Sequence, residues 1–296
     1  MATLNPETQR IMVLVQKITD LPTLPTLLTT LTKLIQDPKT SADQLSRALS
    51  TDPTLVSKVL KLVNSAFYGF PGRIGTVTQA IVIMGFSSIR NIVLTSSVLK
   101  MWDSSRPIQR FDVQAFWRHS LMTAALSKSI AIEKNIPFIE ELFIGGLLHD
   151  IGRMVLSNKL PDEFEKVLDW SEKHQCPWLE SERAVLGLTH ADLGAFLAKK
   201  WNLPAPLIEI IRCHHSPENA PTGPNSPLAG DAAPSLGIVR LADALSQIVT
   251  NGELPLEFSS LIDPVLWEEN FKGQPHSASF RDRCHEEIGR ALAYLS

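Results

Sequence analysis

The 296-residue sequence has little of what marks secreted, membrane-spanning or strongly nucleic-acid-binding proteins. Its three cysteines, Cys176, Cys213 and Cys284, form no regular disulfide framework and suit a reducing cytosol. It has no apolar run of 18 residues and no signal-peptide pattern at the N-terminus. Neither sign of charge dominates, with 28 Lys and Arg against 31 Asp and Glu, which argues against wrapping nucleic acid. We therefore expect a cytoplasmic protein whose partners are neither membranes nor nucleic acids.

Strand signals are missing as well. We find no alternating apolar segments with tight Asn-Gly or Asp-Gly turns, and no Gly-rich phosphate loop. Helical spacing is present instead, and capping patterns at Ser41, Asp52, Thr76 and Asp112 begin several helices. An apolar stripe over residues 24–35 predicts an earlier helix, and the glycines of residues 68–75 predict a loop. The sequence predicts an all-α fold.

Two changes in composition divide the chain. A polar stretch at residues 102–110 separates two helical parts, and a proline-rich stretch at 216–234 predicts a long loop. We predict an N-terminal helical subdomain over residues 1–109, a helical metal-binding subdomain over 110–252 and a C-terminal helical extension over 253–296. Within the second part, helical spacing predicts helices over 112–133, 139–148, 206–214 and 236–249, and one that begins near Thr189.

Potential metal ligands recur in the second part, at helix ends and on helix faces. They are His119, His149, Asp150, His190, His214, His215 and Asp243. Imidazoles and carboxylates without thiolates suit iron, manganese, zinc or nickel. This number of ligands would hold one or two ions, and one carboxylate could bridge a pair. Such ions acidify a bound water and hold the oxygens of a phosphoryl group.

Each of these residues also has an ordinary structural interpretation. A single helical histidine is more often a core or surface residue, and the pair His214–His215 suits the last turn of a helix. Asp150 and Asp243 are harder to explain, because their neighbours are apolar and a buried carboxylate is costly unless it is paired or metal-bound. We therefore interpret the whole set as a metal site. The remaining histidines lie in polar surroundings and are interpreted as surface residues: His174, His276 and His285.

The ligand order H…HD…H…HH…D resembles the HD superfamily of metal-dependent phosphohydrolases, and the HDIGR stretch at His149–Arg153 resembles its signature. The tandem histidines and the later aspartate resemble the HD-GYP branch, which cleaves cyclic di-GMP at a two- or three-metal site. The first half resembles the HDOD domain, an HD-related output domain of bacterial signalling proteins. LPTLP at Leu21–Pro25, the Asp52-Pro53 step and Asn64-Ser65-Ala66 carry that resemblance.

The resemblance covers residues 18–248, and it implies a helical N-terminal subdomain packed on an HD-type helical bundle. It implies a divalent metal, iron first, held by the seven residues above. The chain departs from the HD-GYP pattern in three respects and from the wider HD pattern in a fourth. No Gly-Tyr-Pro element occurs, and Ser216 follows the tandem histidines where an acidic residue is expected. Ala115 occupies the position of a further glutamate ligand, and Arg153 that of a frequent lysine.

Three functions fit these residues. The first is a signalling module that holds metal and acts on a protein partner, favoured by the HDOD half and the missing Gly-Tyr-Pro element. The second is a metal-dependent phosphohydrolase for a cyclic dinucleotide or nucleotide, favoured by the near-complete ligand set. In that case Asp150 and Arg153 are the catalytic candidates, and Arg153 neutralises phosphate charge. The third is a di-iron oxygenase or oxygen sensor, since some HD-fold proteins use the same cluster for oxygen chemistry.

Overall fold

The computed structural model describes residues 30, 31, 34, 37, 39–64, 74–101, 110–137, 139–272 and 276–295. These residues form α-helices, short turns and one isolated β-bridge between Thr250 and Glu253, and they contain no strand. The predicted all-α fold is confirmed. Most of the predicted helix at 24–35, the loop at 68–75 and the stretch at 102–110 lies outside the described residues, as does Leu21–Pro25.

The helices in the described part of the chain are numbered in chain order. They are α1 (Ala42–Leu49), α2 (Pro53–Val63), α3 (Val77–Met84), α4 (Phe86–Met101), α5 (Val113–Glu133), α6 (Ile139–Leu148), α7 (Ile151–Lys159), α8 (Pro161–His174), α9 (Trp178–Leu186), α10 (His190–Lys200), α11 (Ala205–Cys213), α12 (Ser235–Ile248), α13 (Pro264–Phe271) and α14 (Phe280–Leu292). Short 3-10 turns occur at Pro217–Asn219, Gly230–Ala232, Phe258–Leu261 and Ala293–Leu295.

Local sequence explains where the first helices begin and end. Ser41 and Gln44 form a reciprocal capping box at the start of α1, and Asp52 caps α2 ahead of Pro53. Gly85 ends α3 with a φ of +81°, a conformation that favours glycine. The apolar faces of α1 to α4 pack on one another, and α4 also contacts α6 of the following bundle.

The central element of the second part is α5, whose N-cap is Asp112, as predicted. This helix packs against α6, α12 and α14, so it is buried along most of its length. The C-terminal helix α14 therefore belongs to the same packed bundle, and it places Phe280, Cys284 and Ile288 in the core. Glu133 at the end of α5 accepts hydrogen bonds from Arg283 and Ser277, which fixes the approach to α14. The subdomain boundaries remain a prediction.

Two of the three histidines interpreted as surface residues are only partly exposed and make specific contacts. His285 Nε2 lies 3.0 Å from the Leu254 backbone nitrogen, which donates to it, and His276 packs against the ring of Phe258. His174 is exposed, as expected. The polar neighbours of His276 and His285 along the chain did not reveal these contacts, because both contacts come from segments distant in sequence.

In the described residues no single helix is long and apolar enough to cross a bilayer. Only α3 and the Phe86–Leu99 part of α4, taken together across a bend of 119°, reach that length and apolarity.

Candidate metal centre

Five segments bring the seven predicted ligands to one place in the bundle. His119 lies on α5 and Asp243 on α12, while the remaining ligands lie at helix ends. They form two groups, and within each group the donor atoms lie within 4.8 Å of one another. The first group contains Asp150, His190, His214 and His215, and the second contains His119, His149 and Asp243. The residues that the sequence placed far apart thus meet at a common centre.

Asp150 lies between the two groups. Its Oδ1 is 2.9 Å from His190 Nε2 and 3.3 Å from His214 Nε2, while its Oδ2 is 3.6 Å from His149 Nε2. The Arg153 guanidinium lies 2.9 Å from Oδ2. Burial works to raise the pKa of this carboxyl, but the charges of Arg153 and the histidines hold it well below its usual range. The carboxylate is therefore ionised, and each of its oxygens faces one group.

The second group is built around His119 and Asp243. His119 Nε2 lies 3.2 Å from Asp243 Oδ1 and 3.3 Å from His149 Nε2. Burial lowers the pKa of His149 to about 4, although the charges of Asp150 and Asp243 oppose that shift. Burial works to raise the pKa of Asp243, but its contacts with His119 and His149 outweigh burial and hold the pKa below its usual value. A neutral imidazole and ionised carboxylates are the forms that bind metal.

Backbone carbonyls fix the protonation of two imidazoles. His149 Nδ1 donates to the Gly146 carbonyl oxygen at 2.7 Å, and His214 Nδ1 donates to that of Ile211 at 2.8 Å. Since a carbonyl oxygen only accepts, each Nδ1 carries the proton and each Nε2 presents its lone pair to the centre. The Nε2 atoms with which these two rings face Asp150 are therefore acceptors.

Glu182 performs the same task for His190, and the sequence interpretation missed it. This carboxylate is fully buried on α9, and it accepts from His190 Nδ1 at 2.7 Å and from the His190 backbone nitrogen at 2.8 Å. Burial works to lower the pKa of His190, but the charges of Glu182 and Asp150 raise it to about 9, so without a metal its Nε2 carries a proton toward Asp150, and a bound ion would replace that proton. The available signal was its spacing of four from the buried Leu186, which puts a carboxylate on the apolar face of a helix.

Ser246 orients the ring of His119 and was also missed. Its hydroxyl donates to the Asp243 carbonyl oxygen at 2.7 Å and accepts from Thr123 at 3.1 Å. His119 Nδ1 lies 2.9 Å from the same oxygen. Because the Ser246 proton is already used, Nδ1 is the donor, and His119 Nε2 also presents a lone pair to the centre.

Buried nitrogens and oxygens that face one another need a positive charge between them, supplied by a proton or a metal ion. Asp150 Oδ1 and the Nε2 atoms of His190, His214 and His215 are buried and have no hydrogen-bond partner, although several lie close together. Burial beside neighbouring histidines lowers the pKa of His215 to about 2, so this ring is neutral as well. Ligands about 2.0–2.2 Å from a shared ion would be separated by roughly the distances seen here. The donor set of nitrogens and oxygens fits a divalent metal.

The profile of the HDOD domain family matches residues 21–217, which is more than half of the chain. The chain belongs to the HDOD family. It is 28% identical over 212 residues to an uncharacterized protein of Treponema pallidum, covering 70% of this chain and 40% of that protein. It is 27% identical over 154 residues to the cyclic-di-AMP phosphodiesterase PgpH of Listeria monocytogenes, covering 50% and 20%. The chain thus spans less than half the length of both relatives.

Solved structures share the fold of this HDOD protein. An HDOD domain protein of unknown function from Geobacter sulfurreducens superposes with a TM-score of 0.72, at 22% identity and over 97% of this chain and 94% of that one. A Shewanella amazonensis protein named as a candidate phosphohydrolase superposes with a TM-score of 0.68, at 24% identity and over 94% and 97%. At these identities the likeness concerns the fold.

The departures from the HD-GYP pattern have clear structural contexts in this HDOD protein. Ala115 is exposed one helical turn before His119 and offers no ligand atom. Arg153 contacts Asp150 and lies over the ring of Trp178, 5.5 Å from its centroid. Ser216 is buried, and its hydroxyl accepts from Arg183 Nη2 at 3.0 Å. The position after the tandem histidines thus binds an arginine instead of adding a carboxylate to the centre.

Proposed function

We propose that this protein is a regulatory HDOD module of bacterial signal transduction. In this proposal the residues of its HD-like half would hold one or two divalent metal ions, with Asp150 among the ligands, and the chain acts by contact with a signalling protein partner. Iron is the proposed metal, with manganese, zinc and nickel as alternatives that the same donors accept. The observation that carries the metal part is the convergence of five imidazole Nε2 atoms and two ionised carboxylates in the interior of the bundle.

The module function rests on what the centre has and what it omits. His190, His214 and His215 with Asp150 would hold one ion, and His119, His149 and Asp243 with Asp150 would hold the other. The exposed Ala115 and the Ser216–Arg183 contact occupy positions where the HD-GYP pattern has acidic groups. Burial and the Nδ1 hydrogen bonds favour holding an ion firmly, which suits a structural or sensory centre.

A phosphohydrolase acting on a cyclic dinucleotide or nucleotide is the second candidate. The observation that favours it is that a substrate can reach the centre. The side chains of His119 and Asp243 are 23% and 16% exposed, while most of the other ligands are buried. When bound, the metal would supply Lewis acidity and an acidified water. Arg153, held by Asp150, would neutralise phosphate charge, and Asp150 would keep the ligands aligned. The cyclic-di-AMP activity of the Listeria relative makes cyclic dinucleotides the first substrates to test.

Metal content tests the centre. The purified full chain is loaded with Fe²⁺ or Mn²⁺, desalted, and analysed for bound metal. We expect one to two ions per chain, a loss of bound metal in Asp150→Ala and His149→Ala, and no loss in the control His174→Ala, whose histidine is exposed. Wild-type protein that retains no metal after loading with either ion would contradict the proposal.

Hydrolysis of cyclic di-AMP, cyclic di-GMP and a model phosphodiester separates the two functions. The module function predicts stoichiometric metal without turnover of any of the three. Turnover that depends on metal and disappears in Asp150→Ala would instead support the phosphohydrolase. Turnover that persists in Asp150→Ala would come from a contaminant, and the module function would stand.

A further inference from the structure

A pocket of about 340 Å³ lies beside the metal centre, on the side of His215. It is bordered by α9, the start of α10, the end of α11 and the turn that follows α11. Its size falls at the lower end of the range for small-molecule sites, roughly 300–1,000 Å³. The size therefore suits one small molecule rather than a peptide or a large cofactor.

Two guanidinium groups from different helices line this pocket. Arg183 on α9 is exposed, and its Nη2 donates to the Ser216 hydroxyl at 3.0 Å. Arg212 on α11 donates to Glu209 at 2.9 Å through Nε, and to the Asn219 carbonyl oxygen at 3.0 Å. These contacts fix the orientation of both guanidinium groups. The planar guanidinium donates pairs of hydrogen bonds and matches the oxygens of a phosphoryl group.

The single carboxylate in the lining is already occupied. Asp192 Oδ2 accepts from the Thr189 backbone nitrogen at 2.9 Å and from its hydroxyl at 2.8 Å, in the capping box of α10. The lining thus offers two guanidinium groups against one engaged carboxylate, and Glu209, outside the lining, pairs with Arg212 through Nε and Nη2. Hydroxyl and amide groups from Ser216 and Asn219 complete a polar wall. A small anion that also has hydroxyl or amide groups suits such a wall.

His215 connects this pocket to the metal centre. Its ring lines the pocket and also belongs to the donor group of Asp150, His190 and His214. It is the most accessible member of that group. A molecule in the pocket would therefore lie against a ligand of the first group, whereas His119 and Asp243 belong to the second group.

We propose that this pocket binds a small phosphomonoester, such as a mononucleotide, with its phosphoryl group between Arg183 and Arg212. Binding itself does not require the metal, but the link to signalling through His215 rests on the proposed function. The pocket would then be the place where a small-molecule signal acts on the HDOD module.

The test is a titration of the metal-loaded full chain with adenosine monophosphate, followed by calorimetry and ³¹P NMR. We expect saturable binding, and binding of adenosine that is weaker by about tenfold or more, because hydrogen bonds to charged groups contribute about 1.5–3 kcal/mol. Arg183→Gln and Arg212→Gln should each weaken binding by a similar factor. Ser216→Asp should weaken it too, because the new carboxylate would pair with Arg183. Arg47→Gln removes one exposed arginine on α1 and should leave binding unchanged.

Metal content is measured on the same samples, so the two proposals fail separately. Weaker binding in Arg183→Gln with unchanged metal content supports the pocket. Absence of binding by both adenosine monophosphate and inorganic phosphate would overturn it. Binding that is lost on chelation but is unchanged in Arg183→Gln would also overturn it, because the phosphate would then lie on the metal. The metal centre would stand in both cases.

Discussion

The orientation of four of the five imidazoles in the centre is set by the atom that the outer nitrogen of each ring contacts. Carbonyl oxygens hold His149 and His214, the Ser246 hydroxyl holds His119, and the Glu182 carboxylate holds His190. Such contacts select the tautomer and restrain the ring, so the ligands need little rearrangement when an ion binds. Glu182 differs from the other three because it brings a negative charge, which strengthens its imidazole as a ligand.

Glu182→Gln should weaken metal binding while the chain stays folded. The amide keeps an acceptor for His190 Nδ1 but loses the charge, and changes of this kind cost about 10–100-fold in metal affinity. The measurement is competition for Mn²⁺ or Zn²⁺ against a chelator of known affinity. The melting temperature of the metal-free protein is recorded for the same variant.

Glu180→Gln is the matched control, since this residue is exposed on the same helix. It should leave both the metal affinity and the melting temperature unchanged. If Glu182→Gln lowers the melting temperature of the metal-free protein and leaves the metal affinity at the wild-type value, the carboxylate serves folding and not the centre.

At the scale of helices, Gly152 of the HDIGR stretch allows two helices to pack closely. A Cβ placed on Gly152 would lie 1.8 Å from the carbonyl oxygen of His190, so α7 and α10 approach more closely than any side chain permits. This contact brings His190 against Asp150. The spacing of the two helices is therefore part of the construction of the centre.

Gly152→Ala should destabilise the protein by about 1–3 kcal/mol or more, because backbone must move to admit the methyl group. It should also weaken metal binding, since α10 carries His190. Urea unfolding and metal content measure the two effects. Gly145→Ala on α6 is the control, because its added Cβ would be 3.4 Å from Ile210, an ordinary contact, and alanine favours a helix. Equal stability of the two variants would contradict the close-approach argument.

The sequence predicted those helices that carry their own boundary signals. Asp112 caps α5 as expected, α10 begins near Thr189 as predicted, and the predicted 139–148 helix matches α6. The ligand residues were recognisable because their order resembles a known superfamily. Glu182 and Ser246 were not, since the local sequence places Glu182 on an apolar helix face but does not show that either side chain faces a distant histidine. Contacts between distant segments create their roles, and only the folded chain brings those segments together.

For the whole molecule, the centre connects helices that are far apart in the chain. Its ligands come from α5, the α6–α7 junction, α10, the end of α11 and α12, whereas α1 to α4 contribute none of the seven. A bound ion stabilises the folded state by RT ln(1 + [L]/Kd), where [L] is the concentration of free ion and Kd its dissociation constant. This stabilisation acts on the segments that carry the ligands. The predicted subdomain boundary at residues 109 and 110 separates these two sets of helices.

Removing the metal should therefore loosen one part of the protein selectively. Hydrogen–deuterium exchange of the metal-loaded and chelator-treated full chain should show faster exchange in α10, α11 and α12 after chelation. Exchange in α1 and α2 should change little, because their caps and core contacts do not involve the centre. Asp150→Ala, which removes the carboxylate shared by both groups, should exchange like the chelated wild type whether or not metal is added. Equal acceleration across α1, α2 and α10 would instead mean that the chain opens as one unit, and the predicted boundary would then have no energetic meaning.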